Sequence, residues 1–446
     1  MKRENRYRLH EKRKDLTHVY TEKLIIQLLE RENLNRAIQR VKQKKGAPGV
    51  DGMEVEELSS YFAKHEEEIR KQILQRTYQP KPVLRVEIPK PDGGKRLLGI
   101  PTVVDRVIQQ AIAQVLTPIY DKQFHPNSYG FRPHRYAEMA ILETLHNVNN
   151  GYQWIVDIDL ERFFDTVNHD RLMNLIARTI KDGEVISLIR KYLVSGIQTD
   201  EGYKESVIGT PQGGNLSPLL SNIMLNELDN ELQRRGLTFV RYADDCIIFV
   251  KSEMSARRVL RNVTYFIEEK LGLLVNAEKS KIVRPTDPTF KFLGFGFFYN
   301  RHAREYQAKP HAKSMAEFKF KLKKLTKRNW GMATKSRIDN INQLVRGWVN
   351  YYKIAKMKKF LLATDARVRR RLRMCIWKQW KTPKTRRKNL IKLGMNHYEA
   401  YKNSYSSKGI ARIAHSWVLT TTITNERLER FGLLFSVKQY KKVHVM

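Results

Sequence analysis

Two adjacent aspartates, Asp244 and Asp245, stand between two short apolar segments near the middle of the chain. The flanking segments, 237–241 and 246–250, are rich in Phe, Val and Ile and too short for helices. They therefore predict two strands joined by a tight turn. Paired carboxylates at the tip of an apolar hairpin repel each other, which favours a neutralising partner such as a divalent cation. An ordinary turn that contains aspartate is the alternative that these residues alone leave open.

A second pair of carboxylates, Asp157 and Asp159, lies in the apolar segment 154–160, which is typical of a buried strand. The two-residue period of a strand places both side chains on one face. Strand, long helix and aspartate hairpin follow one another along the chain. This order predicts a sheet that carries Asp159 and Asp244 on neighbouring strands, with helices packed on one face. We therefore expect Asp159, Asp244 and Asp245 to converge at one edge of the sheet.

Carboxylates arranged in this way suit nucleotidyl transfer. That reaction uses two Mg²⁺ ions roughly 4 Å apart, one that activates the attacking hydroxyl and one that holds the triphosphate and the leaving group. Mg²⁺ prefers carboxylate oxygens together with substrate phosphates, so two or three aspartates on rigid strands are sufficient protein ligands. The sequence therefore predicts a site for two Mg²⁺ ions, which Mn²⁺ can replace. Asp159 and Asp244 are the expected main ligands, and Asp245 contributes less directly.

Positive charge marks a second predicted hairpin, in which apolar and polar residues alternate over 84–88 before a turn at 89–94. Lys90, Lys95 and Arg96 lie in or beside this turn. A hairpin that carries several cations can close over a triphosphate and neutralise it. A solvated turn is the alternative reading of the same residues.

Glycines flank Gln212 in the segment 209–218, which comes just before a predicted helix. Ser217 is a suitable N-cap, Pro218 a suitable first helical residue, and Gly236 a suitable stop. A Gln between glycines at the entrance of a helix lets a backbone or a base approach closely. The segment therefore predicts a loop, at the entrance of a helix, that another backbone or a base can approach closely.

Helical spacing of apolar residues predicts further helices at 21–41, 58–74 and 104–120. The third of these helices is followed by the segment 128–132, a loop that carries two aromatic side chains and a cation.

Basic residues dominate the charge of the chain. Its 446 residues include 83 Lys and Arg against 46 Asp and Glu, a formal net charge of +37. Such a charge opposes compaction unless a polyanion neutralises it, so a nucleic acid is the expected partner. The surplus is densest after residue 300, where the side chains expected to contact phosphates are Lys323, Lys324, Lys327, Arg328, Arg369, Arg370, Arg371 and Lys378.

Aromatic residues are interleaved with these basic runs. They are Trp330, Trp348, Tyr351, Tyr352, Trp377 and Trp380. Flat side chains near cations suit stacking on unpaired bases. The alternative is a solvated helical face with a tryptophan-rich core beneath it.

Cysteine content and hydropathy limit the class of protein. Two cysteines provide neither a disulfide framework nor a four-cysteine zinc site, which favours a reducing compartment. No apolar run approaches the roughly 20 residues that span a bilayer, and the N-terminus lacks a signal-peptide core. We expect a cytoplasmic protein without a membrane partner, and the length allows about three domains.

Several segments together resemble the successive motifs of reverse transcriptases encoded by group II introns. They are 159–169 (DLERFFDTVNH), 209–218 (GTPQGGNLSP) and 242–245 (YADD), and 347–352 (GWVNYY) resembles the maturase, or thumb, motif. The resemblance spans about residues 20–380. It implies that Asp159, Asp244 and Asp245 form the metal-binding triad and that Phe164 packs under the nucleotide sugar and excludes a 2′-hydroxyl. It further implies that Gln212 lies beside the incoming nucleotide and template, with Lys90 and Arg96 in the fingertip over the triphosphate.

The resemblance also implies a fold, which is α+β with the right-hand arrangement of a polymerase. Fingers and an N-terminal extension occupy 1–150 and the palm 151–300. The helical thumb occupies 301–375, and a small basic DNA-binding domain occupies 376–446. The chain ends without the paired cysteines of a zinc-containing endonuclease. It therefore resembles the endonuclease-lacking class often associated with group IIC introns, in which any second-strand nick comes from elsewhere.

The implied function is RNA-directed DNA synthesis, together with splicing and retrohoming of the encoding intron. The implied partners are the group II intron RNA, an RNA template with a DNA primer, dNTPs and target DNA. The implied location is the bacterial cytoplasm and nucleoid, with the protein either monomeric or dimeric. A free-standing or defence-associated reverse transcriptase would lack the segment 347–352. A splicing factor with dispensable polymerase activity would tolerate loss of the aspartates, and a DNA-templated polymerase is left open by the motifs.

Overall fold

The computed structural model describes residues 23–89, 94–210 and 213–444. These residues form two compact units. The first comprises the described residues up to Glu143 together with Gly151–Val283, and the second comprises Thr144–Asn150 and the described residues from Arg284 onward. Both units contain helices and strands, so the predicted α+β class is confirmed.

The helices and strands up to residue 283 are, in chain order, α1 (Leu24–Leu29), α2 (Arg31–Lys44), α3 (Leu58–Leu74), β1 (Val83–Pro89), β2 (Lys95–Ile100), α4 (Val103–Asp121), α5 (Ala137–Asn149), β3 (Trp154–Ile158), α6 (Phe163–Thr166), α7 (His169–Thr179), α8 (Gly183–Leu193), β4 (Ile197–Thr199), β5 (Gly202–Lys204), α9 (Ser217–Arg234), β6 (Thr238–Tyr242), β7 (Asp245–Val250), α10 (Glu253–Tyr265) and β8 (Lys281–Val283). A single π-helical turn, Phe266–Leu271, continues α10.

One predicted helix is divided in two. The expected helix over 21–41 is α1 followed by α2, because Glu30 adopts an extended conformation with φ −55° and ψ 134°. The side chain of the buried Asn33 donates a hydrogen bond of 2.9 Å to the carbonyl of Leu28. The carbonyls at the end of a helix lack partners within the helix, and this bond supplies one for Leu28. The Leu28 carbonyl is therefore not left without a hydrogen bond at the break. The predicted helix 58–74 agrees with α3.

The first sheet has the strand order β2-β1-β4-β5. Strands β1 and β2 form the predicted hairpin, with Ile88 opposite Arg96 and Pro89 opposite Lys95. Lys95 forms an exposed ion pair of 2.5 Å with Glu87 on the neighbouring strand. The tip of this hairpin, including Lys90, lies outside the described residues.

The second sheet has the order β6-β7-β3-β8, and its neighbouring strands are all antiparallel. The predicted aspartate hairpin is β6 and β7. We expected helices on one face of this sheet, but residues 246–250 are all buried, so both faces of β7 are covered. A strand that is apolar at every position is typical of such two-sided burial.

Helix α9 begins one residue earlier than expected. Ser217 is its first residue and Leu216 its N-cap, so Ser217 does not cap the helix. Gly236 follows the helix with φ +65°, a left-handed conformation that glycine adopts without strain and that ends a helix.

The elements of the second unit after residue 284 are β9 (Phe295–Asn300), β10 (Glu305–Pro310), α11 (Ala312–Leu325), α12 (Thr334–Tyr351), α13 (Lys358–Gln379), α14 (Pro383–Lys392), α15 (His397–Ser404), α16 (Ile410–Ile413), α17 (Trp417–Thr422), α18 (Asn425–Arg430) and α19 (Ser436–Val443). The predicted boundary at 300 falls where β9 ends, between the two strands of one hairpin. The boundary at 375 falls inside α13, because the apolar pattern that buries this helix continues through Trp377.

Aromatic rings form much of the core of the second unit. The ring of Trp348 stacks on Phe318 with 4.3 Å between centroids, and Trp377 is 1% exposed. A tryptophan-rich core is therefore correct for these residues. Trp330 and Tyr351, in contrast, expose close to half of their surface.

The segment 347–352 fixes a turn in the same unit. The hydroxyls of Tyr351 and Tyr352 donate hydrogen bonds to the consecutive carbonyls of Leu293 and Gly294, at 2.8 Å and 3.3 Å. Gly294 has φ +82°, and a Cβ there would lie 2.4 Å from the Tyr352 hydroxyl oxygen. The maturase-like motif thus holds the turn before β9 in place through two hydrogen bonds.

No helix among the residues described above is long and apolar enough to cross a bilayer.

A buried carboxylate joins the C-terminal helix to the second unit, and its removal should destabilise the protein. Asp365 accepts hydrogen bonds from the amide and hydroxyl of Ser436 and from the amide of Val437. Asp365→Ala leaves these donors unpaired, so we expect a loss of about 2–3 kcal/mol in the free energy of unfolding, measured by chemical denaturation. Asp339→Ala, at an exposed position in α12, is the matched control. Equal stability of the two variants would contradict this assignment.

Candidate active site

The pairing of β3 with β7 brings the first aspartate to the hairpin. Ile158, the last residue of β3, lies opposite Cys246. One further step along this antiparallel register places Asp159 opposite Asp245, beside Asp244. The backbone amide of Asp159 donates a hydrogen bond of 3.1 Å to the Ser280 hydroxyl. The side chain of Asp159 is 37% exposed. The register therefore supports the predicted convergence of the three carboxylates at one sheet edge.

A tight turn presents the other two aspartates. Tyr242 pairs with Asp245 across the hairpin, leaving Ala243 and Asp244 as the turn. Ala243 has φ +58°, a left-handed conformation that a residue with a Cβ adopts only at a cost of about 1 kcal/mol. Asp244 is half-buried and Asp245 is exposed.

A fully buried ion pair supports this turn from below. The Arg241 guanidinium donates to both carboxylate oxygens of Asp229, at 2.7 Å and 2.5 Å, and neither side chain is exposed. The same guanidinium donates to the Asn222 side chain at 3.0 Å and to the carbonyl of Ala243 at 2.9 Å. Arg241 thus links helix α9 directly to the strained residue of the turn.

The electrostatics of this pair keep Arg241 charged. Burial lowers the pKa of Arg241, but the charge of Asp229 and the hydrogen bonds to it act in the opposite direction, and the net shift is upward. The charge of Asp244 acts in the same direction as that of Asp229. A buried, charged guanidinium therefore lies beneath the aspartate turn.

The loop 128–132 packs against the other side of the turn. The amide of Tyr129 donates to the carbonyl of Arg241 at 2.9 Å, and a Cβ on Gly130 would lie 2.3 Å from the amide nitrogen of Ala243. Only glycine permits this approach. The carbonyl of Gly130 also accepts a hydrogen bond of 2.9 Å from Asn222, so the loop belongs to the same network as Arg241.

The side chains at the end of this loop have contrasting roles. The Arg132 guanidinium is committed to the protein, donating to the Asp121 carboxylate at 2.7 Å and to backbone carbonyls. Phe131, by contrast, has φ +58° and is 54% exposed. An exposed aromatic held in a strained conformation is a candidate functional residue.

A cavity of about 510 Å³ opens beside the turn. It is lined by Asp244 and by the predicted nucleotide contacts Arg96 and Phe164, together with residues 213–215. The structure therefore brings together three site residues that the sequence predicted from separate motifs. Gln212, like Lys90, lies outside the described residues, although its neighbour Gly213 lines the cavity.

Phe164 is positioned by the first turn of α6. Its ring meets Phe163 edge-on, with 5.2 Å between centroids, and Phe163 is buried. The carbonyl of Phe164 accepts a hydrogen bond of 2.5 Å from the amide of Thr210. Backbone and ring are therefore both fixed, and the half-buried Phe164 side chain forms part of the cavity wall.

The sequence reasoning missed three side chains of the cavity wall, namely Lys44, Arg106 and Phe131. Arg106 donates a hydrogen bond of 2.6 Å to the carbonyl of Ala47. Burial lowers the pKa of Arg106, while the charge of Asp51 raises it. No local motif marks Arg106, which lies on a largely apolar helix. Phe131 could have been found, because the aromatic content of its loop was apparent.

The residues at the sheet edge fit a divalent cation, although the described residues contain no group of three or more His, Cys, Asp or Glu side chains arranged as a metal site. Mg²⁺ commonly takes one or two protein carboxylates and completes its shell with water and substrate phosphates. Asp159 and Asp244 provide such carboxylates, and Asp244 faces a cavity with cationic walls. Lys279 lies 3.8 Å from Asp159 and gives that carboxylate a counter-charge.

The predicted phosphate contacts lie in the second unit, on α11, on α13 and just after α11. Lys323, Lys324, Lys327, Arg328, Arg370 and Lys378 are exposed. Arg371 is instead committed to the protein, since it donates to the Thr326 hydroxyl at 2.6 Å and to the carbonyls of Lys323 and Thr326. The guanidinium of Arg369 lies 5.3 Å from the ring centroid of Phe435.

Comparison with known families gives two matches along this chain. The model described as "Reverse transcriptase (RNA-dependent DNA polymerase)" matches residues 88–297, which include most of the cavity lining, β3 and the aspartate hairpin. The model described as "Group II intron, maturase-specific domain" matches residues 315–394. The chain thus combines an RNA-directed DNA polymerase domain with a maturase domain.

Individual relatives agree with these matches. Protein YkfC of Escherichia coli (strain K12) is 34% identical, over 61% of this chain and 82% of YkfC. Group II intron-encoded protein LtrA of Lactococcus lactis subsp. cremoris is 33% identical, over 49% of this chain and 47% of LtrA. "Nuclear intron maturase 2, mitochondrial" of Arabidopsis thaliana is 28% identical, over 34% of this chain and 26% of that protein. The matches thus span less than half of LtrA and of the plant maturase.

Fold, site and matches together define the class of protein, which is that of the RNA-directed DNA polymerases, a group of nucleotidyltransferases. Within this class, the chain belongs to the family of reverse transcriptases and maturases encoded by group II introns. The resemblance to reverse transcriptases encoded by group II introns is therefore confirmed.

The buried ion pair beneath the turn yields a prediction. Asp229→Asn leaves the Arg241 charge buried without its counter-charge, which should lower the free energy of unfolding by about 3–5 kcal/mol. Because Arg241 also supports Ala243, primer extension should fall at temperatures at which the variant remains folded. Chemical denaturation and primer extension measure the two effects.

Asp170→Asn is the matched control, since it makes the same change in the exposed pair of Asp170 with Arg190. Exposed pairs contribute about 1 kcal/mol or less. The supporting role of Asp229 is refuted if both variants unfold alike.

Proposed function

We propose that this protein extends a DNA primer on an RNA template at the cavity beside Asp244, and that it binds its encoding group II intron RNA to assist splicing and retrohoming. The observation that carries the catalytic part is the register of β3 with β7, which directs Asp159 to the aspartate turn. Phe164 and two arginines share the adjoining cavity with Asp244. Carboxylates beside a cationic cavity suit a triphosphate and its metal ions.

Asp159 and Asp244 are the proposed principal ligands for two Mg²⁺ ions, or Mn²⁺ in their place, with Asp245 in a lesser role. When bound, such ions would activate the primer 3′-hydroxyl and stabilise the charge of the leaving pyrophosphate. The rigid strands hold the carboxylates in place before substrate arrives, which reduces the reorganisation needed for reaction. Arg241 and the loop 128–132 maintain that placement through the backbone of the turn.

The cations of the cavity have the proposed role of binding the triphosphate. Arg96 and Arg106 line its wall, and Lys90 belongs to the hairpin that carries Arg96. Guanidinium groups match phosphate oxygens in geometry as well as charge. We assign Gln212 a position beside the incoming nucleotide and template base, because its neighbours Gly213 and Gly214 form part of the same wall.

Phe164 has the proposed role of sugar selection. Its ring is fixed against Phe163 and forms part of the cavity wall. A rigid ring beneath the sugar would leave no space for a 2′-hydroxyl. This arrangement would favour dNTPs over rNTPs.

The second unit has the proposed role of gripping nucleic acid. Its exposed cations, which include Lys323, Lys324, Lys327 and Arg328, suit contacts to phosphates of the intron RNA or the primer-template duplex. Arg369, Arg370 and Lys378 extend this surface along α13, whereas Arg371 contributes by joining α11 to α13. We assign contacts with target DNA to the basic residues after 376. The proposed location is the bacterial cytoplasm, at the nucleoid when the protein is bound to DNA.

Loss of one aspartate should separate synthesis from splicing. Asp244→Asn should reduce primer extension on an RNA template by about three orders of magnitude, because losing a charged metal ligand raises the barrier by several kcal/mol. Intron RNA supplies its own reacting groups, so RNA binding and protein-assisted splicing should persist. Asp200→Asn, at an exposed turn between β4 and β5, is the control for extension.

Extension by Asp244→Asn near the wild-type rate would reject the catalytic assignment. Loss of splicing in a variant that still folds and binds RNA would instead show that the two activities share a site.

Removal of the ring at position 164 should weaken sugar selection. Phe164→Ala should raise the relative kcat/KM for rNTPs over dNTPs by about tenfold or more, because the wall beneath the sugar is lost. Steady-state single-nucleotide incorporation measures this ratio. Tyr265→Ala removes an exposed ring that does not line the cavity, and it should leave the ratio unchanged. A ratio that stays constant in Phe164→Ala would make this residue a core aromatic only.

A further inference from the structure

A second cavity, of about 590 Å³, lies in the second unit at the start of α13. Its apolar surface includes Met357, Phe360 and Ala363, and four lysines contribute to its lining, namely Lys309, Lys356, Lys358 and Lys359. The volume is within the range of small-ligand sites. None of these residues belongs to the phosphate contacts described above.

The charge of this cavity favours an anion. Its lining contains four lysines and no Asp or Glu. A fifth lysine, Lys319, lies with its Nζ 5.1 Å from the ring centroid of Phe360. Like charges gathered around one depression repel each other, and a bound polyanion would relieve that repulsion.

The position of two of these lysines adds to the electrostatic repulsion. Lys358 and Lys359 form the start of α13, whose first turn contains no acidic residue. A helix favours negative charge at this end, so cations there are unfavourable unless an anion is bound between or beside them. Helix α8, in contrast, has Asp182 as its N-cap and Glu184 in its first turn. The N-terminal end of α13 thus favours a bound phosphate, and this end of the helix also lines the cavity.

The floor of the cavity distinguishes its ligand from a simple phosphate. Met357 is 4% exposed, and Phe360 is half-buried against Trp348, with 5.7 Å between ring centroids. The backbone amide of Lys356 donates to the carbonyl of Ala308 at 2.8 Å, which fixes the edge of the depression to β10. A rigid apolar floor below a ring of cations matches a flat base attached to phosphates.

We propose that this cavity binds an unpaired nucleotide of RNA, with the base against Met357 and Phe360 and the flanking phosphates on Lys358 and Lys359. This inference rests on the proposed function, since it supplies one point at which the maturase would hold a looped or bulged RNA. A base within a continuous duplex cannot enter the depression, so the site selects unpaired RNA over a perfect helix.

Two kinds of variant test this site in the full-length protein. Ala363 is exposed and lines the cavity, so Ala363→Trp should fill the cavity without altering its charge. Ala366→Trp makes the same change at an exposed position outside the cavity lining. Lys358→Glu combined with Lys359→Glu replaces two of the four lysines of the lining while leaving the floor intact.

The probe is a 12-nucleotide oligouridylate that carries a fluorophore, added after the polymerase cleft has been occupied by a primer-template. Ala363→Trp should weaken binding about tenfold without changing the dependence on salt, since base contacts are worth about 1–3 kcal/mol each. The double lysine variant should weaken binding and flatten the log–log salt dependence by about 1.4, or roughly 0.7 for each lost contact. Ala366→Trp should bind as the wild type does.

Competition and cross-linking complete the test. A fully paired RNA duplex should compete poorly, and 4-thiouridine in the probe should cross-link to the peptide that contains residues 357–363. Equal binding by Ala363→Trp and Ala366→Trp would overturn the proposal, as would equal competition by duplex RNA or by polyglutamate. Primer extension on a short template should be normal in all these variants. Failure at this cavity would therefore be distinct from failure of the proposed polymerase.

Discussion

The antiparallel pairing of β3 with β7 is the constraint on which the proposed catalytic site depends. It pairs Ile158 with Cys246 and thereby directs Asp159 toward the turn that carries Asp244. A shift of one residue in this register would reverse the faces of every side chain on the strand. Burial of residues 246–250 prevents such a shift, because it would move apolar side chains out of their contacts. The position of the carboxylates is therefore a consequence of the core.

The turn itself requires support from outside the hairpin. Ala243 adopts a left-handed conformation, and such strain persists only where neighbouring structure over-determines it. Gly130 lies against one side of the turn, and Arg241 donates to the Ala243 carbonyl from the other. Asp229 neutralises that buried guanidinium. Removal of one partner from such a pair lowers the free energy of unfolding by far more than the whole pair contributes to it. The network therefore links the geometry of the turn to the stability of the fold.

Local patterns in the sequence were sufficient to predict the β6–β7 hairpin, the position of Asp244 in its turn and the helix at 58–74. Each of these features depends on residues close together in the chain. The break at Glu30 was not predictable in this way, because Asn33 compensates for it through contacts that include the distant Ala111 carbonyl. The pair of Arg241 with Asp229 also depends on how α9 packs beside β6. Each residue was visible in the sequence, but their contact was not.

The residues of the cavity wall also divide into those that local patterns predict and those that depend on tertiary packing. Arg96 and Phe164 lie in recognisable motifs, whereas Arg106 lies in a helix whose apolar pattern predicts only a core. It reaches the cavity because the tertiary structure places that helix beside the entrance of α9. The predicted boundary at 300 divides the β9–β10 hairpin, and the one at 375 lies inside α13, for a similar reason. Charge and motif content change gradually along the chain, but helices and hairpins end where their packing ends.

The central claim, that the end of the β3–β7 pair holds divalent cations, can be tested by affinity cleavage. Fe²⁺ bound in place of Mg²⁺ generates hydroxyl radicals in the presence of ascorbate and peroxide, and these cut the nearby backbone. Cleavage of the wild-type protein with bound primer-template and dNTP should be confined to about residues 157–160 and 242–246, and excess Mg²⁺ should suppress it. Cleavage at other positions, or an unchanged pattern in the Asp159→Asn and Asp244→Asn double variant, would contradict the account.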